Sequence, residues 1–415
     1  MLEPSRQRYS TLLASFLHFD LSFMLWVLVG ALGIPLAEAA SLTPFEKGLI
    51  VGAPLLTGSL LRVPVGILAD RIGGKRVGLA MLGFLFVPLS LAAIVPPSFP
   101  ALLAIGALLG VAGASFAVAL PLASRWFPPE KQGLAMGVAA AGNSGTVITN
   151  LVAPRIAAHV GAAGTFALAM IPLALVLVLF AFLAHEPPRP ATKPGGSLLA
   201  GVAREPDAWR LALFYSVTFG GYVGMASFAP LFLRDQYALE ATTAGTATAA
   251  LAFAGSLSRP LGGALADRIG GTRLLIVLLL AIAAAYGAAI SSPSLPVMLG
   301  VLGTLFVCLG LGNGAVFQVV PLRFSREVGT VTGLVGAIGG VGGFFLPSLL
   351  GAAREGLGSF SAGFAGLALL ASVSGIVLIA LCAPSGAWAR GKVPGAPALP
   401  EPEPGPEAAE PEAAQ

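Results

Sequence analysis

The sequence predicts an all-α integral membrane protein in which twelve transmembrane helices form two pseudo-symmetric six-helix bundles. Composition is the first reason: of 415 residues, 56% are hydrophobic and 10% are charged, and the mean hydropathy is +0.89. An average soluble domain has roughly 25% charged residues. Length is the second reason, because the chain accommodates about twelve spans of ~22 residues with their loops. The third is an internal repeat, in which the segment around Arg62 returns around Arg259, 197 residues later (259 − 62).

Apolar runs separated by polar turns delimit the spans in order. They lie at residues 12–33, 48–69, 77–95, 101–124, 133–156, 165–184, 208–233, 242–266, 274–291, 295–320, 329–352 and 360–383. Residues 1–185 then form an N-terminal half and residues 208–383 a C-terminal half, joined by a cytoplasmic linker at 186–207 that is rich in Pro, Gly and charge. Residues 384–415 combine Glu with Pro, Ala and Gly, and we expect a disordered acidic tail.

The distribution of basic residues predicts the orientation. Most of the 23 Lys and Arg residues lie in alternate loops and near both ends, whereas the other loops contain only Lys47, Arg155, Arg234 and Arg354. Because positive loops stay in the cytoplasm, we expect both termini to be cytoplasmic, in a multi-pass protein of a bacterial-type plasma (inner) membrane. Glu38 and Glu46 then fall in the first outer loop, where we expect them to be solvated.

The composition also argues against several classes of function. The net charge of +4 comes from loop arginines, without the basic and aromatic cluster of a nucleic-acid surface. Cys308 and Cys382 lie in apolar runs and the histidines are scattered, so we expect no disulfide framework, metal site or cofactor. No set of nucleophile and base, and no cluster of ligands, suggests an enzyme.

Each copy of the repeat ends an apolar helix in a turn and carries one arginine inside that helix. The turns read Gly66-x3-Asp70-Arg71 and Gly263-x3-Asp267-Arg268, each followed by paired glycines. Arg62 and Arg259 precede them by eight residues (70 − 62), which is ~12 Å of helix and near the middle of a ~30 Å hydrocarbon layer. A charge at that depth is costly and by default functional, so the pair predicts an anion bound between them. The alternative is a structural ion pair or a snorkelling side chain.

Two six-helix halves in parallel repeat, joined by a cytoplasmic linker, resemble the major facilitator superfamily. The repeated turn is similar to a motif which, in that family, acts as a conformational gate on the cytoplasmic side. The resemblance therefore implies a gate formed by Gly66, Asp70, Arg71, Gly263, Asp267 and Arg268. Glycines that permit a tight turn and cations at a helix C-terminus are compatible with that role.

Glycine-rich segments carry a closer resemblance. They lie in spans 4, 5, 10 and 11, at Gly113–Pro121, Ala140–Thr146, Gly312–Pro321 and Gly333–Pro347. With the paired arginines, they resemble the nitrate/nitrite porter family over the whole transmembrane chain, and only the acidic tail lies outside. The resemblance implies a transporter of nitrate, and of nitrite, that works by rocking of its two halves.

The arginine pair and this resemblance together define the candidate site. The substrate-binding residues are Arg62, Arg259, Asn143, Tyr215 and Phe219. The pocket-shaping residues are Gly142, Gly145, Gly339, Gly340, Gly342, Gly343, Phe116, Asn313 and Phe317. A guanidinium suits nitrate because its planar fork meets two oxygens at once. The alternatives are helix packing for the glycines and rings, and an interhelical hydrogen bond for Asn143.

Asp20 and His18 are the candidates for proton coupling. Asp20 lies eight residues into span 1 (20 − 12), where an acid could neutralise an arginine or carry a proton, and a histidine titrates near neutrality. The alternative is that both are cavity-facing or interfacial groups. Asp20 favours proton-coupled uptake, whereas nitrate/nitrite antiport stays open.

Other functions are weaker interpretations of the same residues. Another small monovalent anion, such as a monocarboxylate, fits the arginines but not the glycine-rich segments. A drug exporter would not need two buried arginines, and a membrane nutrient sensor would need a signalling domain larger than the linker or tail. We expect a monomer in the lipid bilayer, with nitrate, nitrite and protons as its partners.

Overall fold

The computed structural model describes residues 4–128, 135, 138–139, 141–186, 201–324, 328–383 and 388. Most of the predicted linker, the predicted tail apart from Trp388, and the start of span 5 lie outside the described residues. Within these ranges the regular structure is entirely helical.

The helices follow the predicted spans in order. In the first half of the chain they are α1 (Pro4–Trp26), α2 (Leu28–Ala31), α3 (Gly33–Ala39), α4 (Pro44–Ile72), α5 (Gly74–Ile94), α6 (Phe99–Leu109), α7 (Phe116–Ser124) and α8 (Gly145–Leu183). In the second half they are α9 (Pro206–Tyr215), α10 (Gly221–Tyr237), α11 (Ala241–Ile269), α12 (Gly271–Ala289), α13 (Leu295–Arg323), α14 (Val328–Leu357) and α15 (Ser361–Cys382). Two 3₁₀ segments, Gly110–Ser115 and Ala141–Ser144, precede α7 and α8, and a π-helical turn, Ser216–Gly220, joins α9 to α10.

Each of the twelve predicted spans has a helical counterpart among the described residues. Nine helical stretches in these ranges are long and apolar enough to cross a membrane. One of them, Ala141–Leu183, accounts for both span 5 and span 6, because Gly161 (φ 72°, ψ 175°) leaves the helical conformation and turns the chain. Span 1 corresponds to α1–α3 and span 8 to α11.

Span 1 is longer and less regular than predicted. Helix α1 begins at Pro4, and the helical path is interrupted at Val27 (φ −97°, ψ 1°) and Leu32 (φ −91°, ψ 6°) before it ends at Ala39. The interrupted stretch packs closely on α10, since a Cβ on Gly30 would lie 2.3 Å from the Ser227 carbonyl oxygen. Glu38 therefore belongs to the last turn of α3, so its assignment to a loop is wrong.

The first turn of α4 corrects the prediction for Glu46. The Thr43 hydroxyl accepts a hydrogen bond from the Glu46 amide (3.3 Å), and the Glu46 carboxylate accepts one from the Thr43 amide (2.9 Å). This reciprocal cap, with Pro44 at the first helical position, satisfies amides that would otherwise lack partners. Glu46 is thus part of a helix N-terminus rather than a solvated loop residue.

Helices α4 and α14 pack along each other and join the two halves of the chain. A Cβ on Gly48 would lie 2.4 Å from the Pro347 carbonyl oxygen, and one on Gly351 would lie 2.5 Å from that of Pro44. Small residues at such contacts let helix backbones approach closely. Further along α4, Arg62 lies opposite Gly336 and Gly340 of α14.

Candidate functional site

Arg62 is held in the protein interior by backbone carbonyl groups from both halves of the chain. Its side chain is buried on α4, with the whole residue 3% exposed. Nε donates to the Gly113 carbonyl oxygen (3.1 Å), and Nη1 donates to the Gly336 carbonyl oxygen on α14. Nη2 is buried and has no hydrogen-bond partner among the described residues. Because a buried donor without a partner is unfavourable, this edge of the guanidinium is suited to an acceptor that enters from outside the protein.

Three aromatic rings surround the Arg62 guanidinium. Its central carbon lies 5.4 Å from the Trp26 ring, 5.1 Å from the Phe116 ring and 5.2 Å from the Phe219 ring. The negative faces of such rings stabilise a cation without supplying a carboxylate. A bound anion therefore meets no competing negative side chain at these contacts.

Arg259 lies on the other side of an aromatic pair. Its Nη2 donates to the Tyr215 hydroxyl (3.3 Å), and its guanidinium lies 5.8 Å from the Phe317 ring. The Tyr215 and Phe219 rings stack at 5.0 Å, nearly parallel at 3°. Phe219 thus contacts Arg62 while Tyr215 contacts Arg259, so one stacked pair links the two cations. Arg62 and Arg259 thus place two positive charges on one cluster, and like charges repel each other.

The π-helical turn Ser216–Gly220 explains how Tyr215 and Phe219 come to stack. In a π-turn the backbone hydrogen bonds join residues five apart rather than four, and such turns are frequent at functional sites. Here it begins directly after Tyr215 and includes Phe219. The sequence analysis named both rings as substrate-binding residues but gave no signal for the π-turn.

The predicted glycines make room for these side chains. A Cβ on Gly339 would lie 2.2 Å from the Tyr215 ring, and one on Gly340 would lie 2.1 Å from the Ser59 hydroxyl. Gly342 and Gly343 instead let α14 pack on Ser216 and Val223, at 2.8 Å each. Gly339 and Gly340 therefore act on the cluster directly, whereas the other two act on helix packing.

Asp20 contacts the glycine-rich segment of span 5. The Ser144 hydroxyl donates to Asp20 Oδ1 (2.7 Å), and Cβ atoms on Gly142 and Gly145 would lie 2.7 Å and 2.1 Å from the Asp20 backbone. Asp20 is half-buried and forms none of the ion pairs found in the described ranges. The structure therefore connects this carboxylate with the glycine-rich segment rather than with an arginine.

His18 lies against α5 and α8 rather than against the arginine cluster. Its Nε2 lies 3.4 Å from the Gly78 carbonyl oxygen, and its ring packs on Phe180 at 4.8 Å. These partners lie on α5 and at the end of α8, which supply no ring or guanidinium to the arginine cluster. The structure gives His18 no contact with Arg62 or Arg259.

Two of the predicted site residues are buried amides whose acceptors are unused. Asn143 and Asn313 are 5% and 2% exposed, and the side-chain oxygen of each has no hydrogen-bond partner in the described part of the chain. Neither forms a described hydrogen bond to the arginine cluster. Their predicted roles as substrate-binding and pocket-shaping residues stay predictions.

Comparisons with known proteins identify the family. Residues 13–347 match the Major Facilitator Superfamily. The chain belongs to this superfamily. It is a membrane transporter and not an enzyme.

Curated relatives place this transporter in the nitrate/nitrite porter family. It is 36% identical over 407 residues to the "Probable nitrate/nitrite antiporter NarK1" of Thermus thermophilus, covering 90% of this chain and 91% of that protein. It is 33% identical over 357 residues to the "Nitrite extrusion protein" of Bacillus subtilis (strain 168), covering 86% and 90%. The "Probable nitrate/nitrite transporter NarK2" of Mycobacterium tuberculosis (strain ATCC 25618 / H37Rv) is 34% identical over 340 residues, covering 80% and 86%.

A solved structure supports the fold of this transporter. The "Crystal Structure of A Bacterial Homolog to Human Lysosomal Transporter, Spinster, in Inward-facing And Occupied Conformation" superposes with a TM-score of 0.67, covering 91% of this chain and 96% of that chain. The identity is 21%, so this likeness concerns the fold alone. It supports the predicted class, an all-α membrane protein of two six-helix bundles.

The transporter's two repeated turns have matching backbones. Gly73 (φ 106°) follows the first copy and Gly270 (φ 91°) the second, in conformations that favour glycine. In the first copy Asp70 pairs with Arg125 (2.5 Å), whereas Arg71 is exposed. In the second copy Asp267 and Arg268 are both exposed. A Cβ on Gly66 would meet only Ala117 (3.5 Å), and Gly263 faces open space, so neither glycine is needed for a close approach.

At the opposite end of the helices, ion pairs connect the two halves of the transporter. Lys47 on α4 pairs with Asp235 on α10 (2.9 Å), and Glu38 on α3 pairs with Arg234 on α10 (2.9 Å). The Glu355 carboxylate on α14 accepts a hydrogen bond from the Phe45 amide (2.8 Å). We call these contacts the outer clasp, since the Lys and Arg distribution predicts that this end faces outward. Among the ion pairs in the described ranges, those that join the two halves all belong to the clasp.

Proposed function

We propose that this transporter moves nitrate, and also nitrite, across the membrane by alternating access, with the anion bound between Arg62 and Arg259. The observation that carries the proposal is Nη2 of Arg62, which has no hydrogen-bond partner among the residues the structure describes and is buried in a cluster that also contains Arg259. The names of the relatives from Thermus, Bacillus and Mycobacterium, which mention nitrate or nitrite, support the choice of anion.

The chemistry of the cluster favours a small, flat, monovalent anion. Nitrate is planar, and the guanidinium fork offers donors in one plane. Charge-assisted hydrogen bonds to such a fork are short and about twice as strong as neutral ones. The stacked rings of Tyr215 and Phe219 add a flat apolar boundary, while the Tyr215 hydroxyl adds a polar group beside Arg259.

Anion binding would also change the balance between conformations. Without an anion, the positive charges of Arg62 and Arg259 repel each other across the cluster. An anion between them removes this repulsion and so favours states in which the two arginines are close. A ligand drives a conformational change only through such a difference in affinity between states. The outer clasp supports a state that is closed toward the outside, in which the anion would exchange with the cytoplasm.

For coupling, we favour proton-coupled nitrate uptake with Asp20 as the proton-binding group. The support is a half-buried carboxylate that hydrogen-bonds Ser144, next to the candidate ligand Asn143. Nitrate/nitrite antiport is the second candidate, because a relative at 36% identity bears the name antiporter. His18 receives less support than Asp20, since its described contacts are with Gly78 and Phe180.

Uptake of labelled nitrate into proteoliposomes separates the two mechanisms. Proton-coupled uptake predicts stimulation by an inward proton gradient in vesicles without nitrite. Antiport predicts stimulation by internal nitrite in the absence of that gradient. Stimulation by internal nitrite alone would refute proton coupling, and no nitrate uptake under either condition would refute the proposed substrate.

The Asp20→Asn variant tests the proton-binding group. The amide keeps the size of the side chain but cannot take up the coupled proton. We expect the stimulation by a proton gradient to disappear, while exchange of internal for external nitrate stays near wild type. Glu240→Gln, an exposed carboxylate outside the cluster, is the matched control and should keep the stimulation. Undiminished gradient-driven uptake by Asp20→Asn would exclude Asp20 as the carrier of the proton.

The proposed setting of this transporter follows from its loop charges. We place both termini in the cytoplasm and the protein, as a monomer, in a bacterial-type plasma membrane. The support is the low content of Lys and Arg in the loops at the outer end. Impermeant labelling of single cysteines in alternate loops would test this topology.

A further inference from the structure

The geometry points to Trp26 as the residue that positions Arg62 for anion binding. This inference rests on the proposed function and adds a residue to its site. Trp26 is the last residue of α1, is fully buried, and lies with its ring 5.4 Å from the Arg62 guanidinium carbon. Tryptophan is the aromatic side chain that attracts a cation most strongly.

The Trp26 ring is itself held in place from two directions. Its Nε1 donates to the Pro54 carbonyl oxygen (2.6 Å) in the middle of α4. Phe23 packs edge-on against it at 5.1 Å. A side chain with a satisfied N–H and closely packed surfaces has few alternative rotamers. The ring is therefore a rigid support and not only a filler of the core.

Gly113 connects this support with the guanidinium. A Cβ on Gly113 would lie 2.4 Å from Trp26 Cε2, so the ring lies directly against this backbone. The carbonyl oxygen of the same residue accepts the Arg62 Nε hydrogen bond (3.1 Å). Trp26 thus acts on Arg62 in two ways, directly through its ring and indirectly through the Gly113 backbone that binds Nε. A shift of the ring would disturb both contacts.

Positioning matters because of how the Arg62 donors are used. Nε and Nη1 are bound to carbonyl groups, and Nη2 is the donor without a partner in the described part of the chain. Its direction is fixed only while the guanidinium plane is fixed. Ordering a loose guanidinium at the moment of binding would cost affinity. A rigid ring removes that cost without placing an anionic group in competition with the substrate.

Fluorinated tryptophans introduced at position 26 alone provide the decisive test. Fluorine weakens the negative face of the indole ring with little change of shape. We expect nitrate affinity, measured by calorimetry on the purified full-length protein, to fall stepwise with each added fluorine, by about tenfold over the series. The melting temperature should stay near that of the wild type. A merely structural role of the ring would also leave the melting temperature unchanged, but it would not produce the stepwise loss of affinity. An affinity that is flat or rises along the series would overturn the inference.

Trp26→Phe and Trp126→Phe form a matched pair of variants. Both lose an indole N–H that donates to a backbone carbonyl, since Trp126 Nε1 donates to His185 (3.0 Å) at the end of the helices remote from the outer clasp. We expect Trp26→Phe to raise the KM for nitrate about fivefold to tenfold with a smaller change in kcat, and Trp126→Phe to leave KM unchanged. Equal KM values for the two variants would contradict the positioning role. If the wild-type protein binds no nitrate, the proposed function fails; if it does and these series are flat, only the role of Trp26 fails.

Discussion

Arg62→Lys and Arg259→Lys, made separately, are each expected to reduce nitrate transport by about 100-fold or more. Lysine keeps the charge but replaces a planar fork with a single ammonium group. At position 62 that group could not bind the carbonyls of Gly113 and Gly336 and an anion in the present arrangement. Losing two charge-assisted hydrogen bonds, at roughly 1.5 kcal/mol or more each, corresponds to this factor. The measurement is the initial rate of labelled nitrate uptake into proteoliposomes at equal protein content.

Arg155→Lys is the matched control for these variants. Arg155 is exposed and donates to the Thr246 hydroxyl (2.9 Å), outside the arginine cluster. The same chemical change there should leave uptake close to wild type. Wild-type rates in both Arg62→Lys and Arg259→Lys would contradict a site in which two guanidinium forks grip the anion.

The sequence singled out Arg62 and Arg259, which the structure brings to one aromatic cluster, but it could not predict how Arg62 is held. The depth of Arg62 and Arg259 follows from helix geometry and from the repeat, and both are local properties of the chain. The partners of Arg62 are the carbonyls of Gly113 and Gly336. Every residue carries a carbonyl, so no residue type indicates which one will accept a hydrogen bond. Trp26 was missed for a related reason, since a tryptophan in an apolar run is more often an ordinary core residue.

The span boundaries show the same limit. The sequence predicted a break between spans 5 and 6 at residues 157–164, and the structure confirms a break there, but hydropathy did not show that it is confined to the backbone of Gly161. The π-turn at Ser216–Gly220 has no signature in composition either. The π-turn packs on α14, where a Cβ on Gly342 would lie 2.8 Å from Ser216, and a single sequence does not reveal this contact between distant residues.

The sequence did not predict the outer clasp, because its charged residues served only to predict the orientation of the protein in the membrane. Lys47 and Arg234 were predicted to lie in outer loops that contain few positive charges, and Glu38 was predicted to be solvated. The structure pairs them across the two halves, and the neighbours Arg234 and Asp235 bind partners of opposite sign. An opposite-sign dipeptide near the end of span 7 was the available signal. This dipeptide indicates ion pairs between the halves only when the ends of spans 1, 2 and 7 are known to meet.

Reversing one charge of the clasp should shift the transporter out of the state in which the clasp joins its two halves. In Asp235→Lys, two lysines would face each other where Lys47 and Asp235 now lie 2.9 Å apart with side chains 18% exposed. Like charges juxtaposed at a partly buried contact are unfavourable by several kcal/mol, which is enough to reverse a two-state equilibrium. We expect nitrate transport to fall by about tenfold or more, because the cycle must pass through the closed state.

Cysteine labelling reports the conformational shift directly. Leu55 lies on α4 between the clasp and Arg62, and is buried against Gly343 of α14. With Cys308 and Cys382 replaced by alanine, Leu55→Cys should react slowly with an impermeant reagent added outside, and much faster when Asp235→Lys is added. The exchanged pair Lys47→Asp/Asp235→Lys restores opposite charges and should restore both slow labelling and transport. Arg354→Asp is the control, since Arg354 donates to Gly358 within its own half at the same end. If Asp235→Lys leaves the labelling rate unchanged, the clasp does not hold the outer side closed. The same conclusion follows if the exchanged pair restores neither slow labelling nor transport.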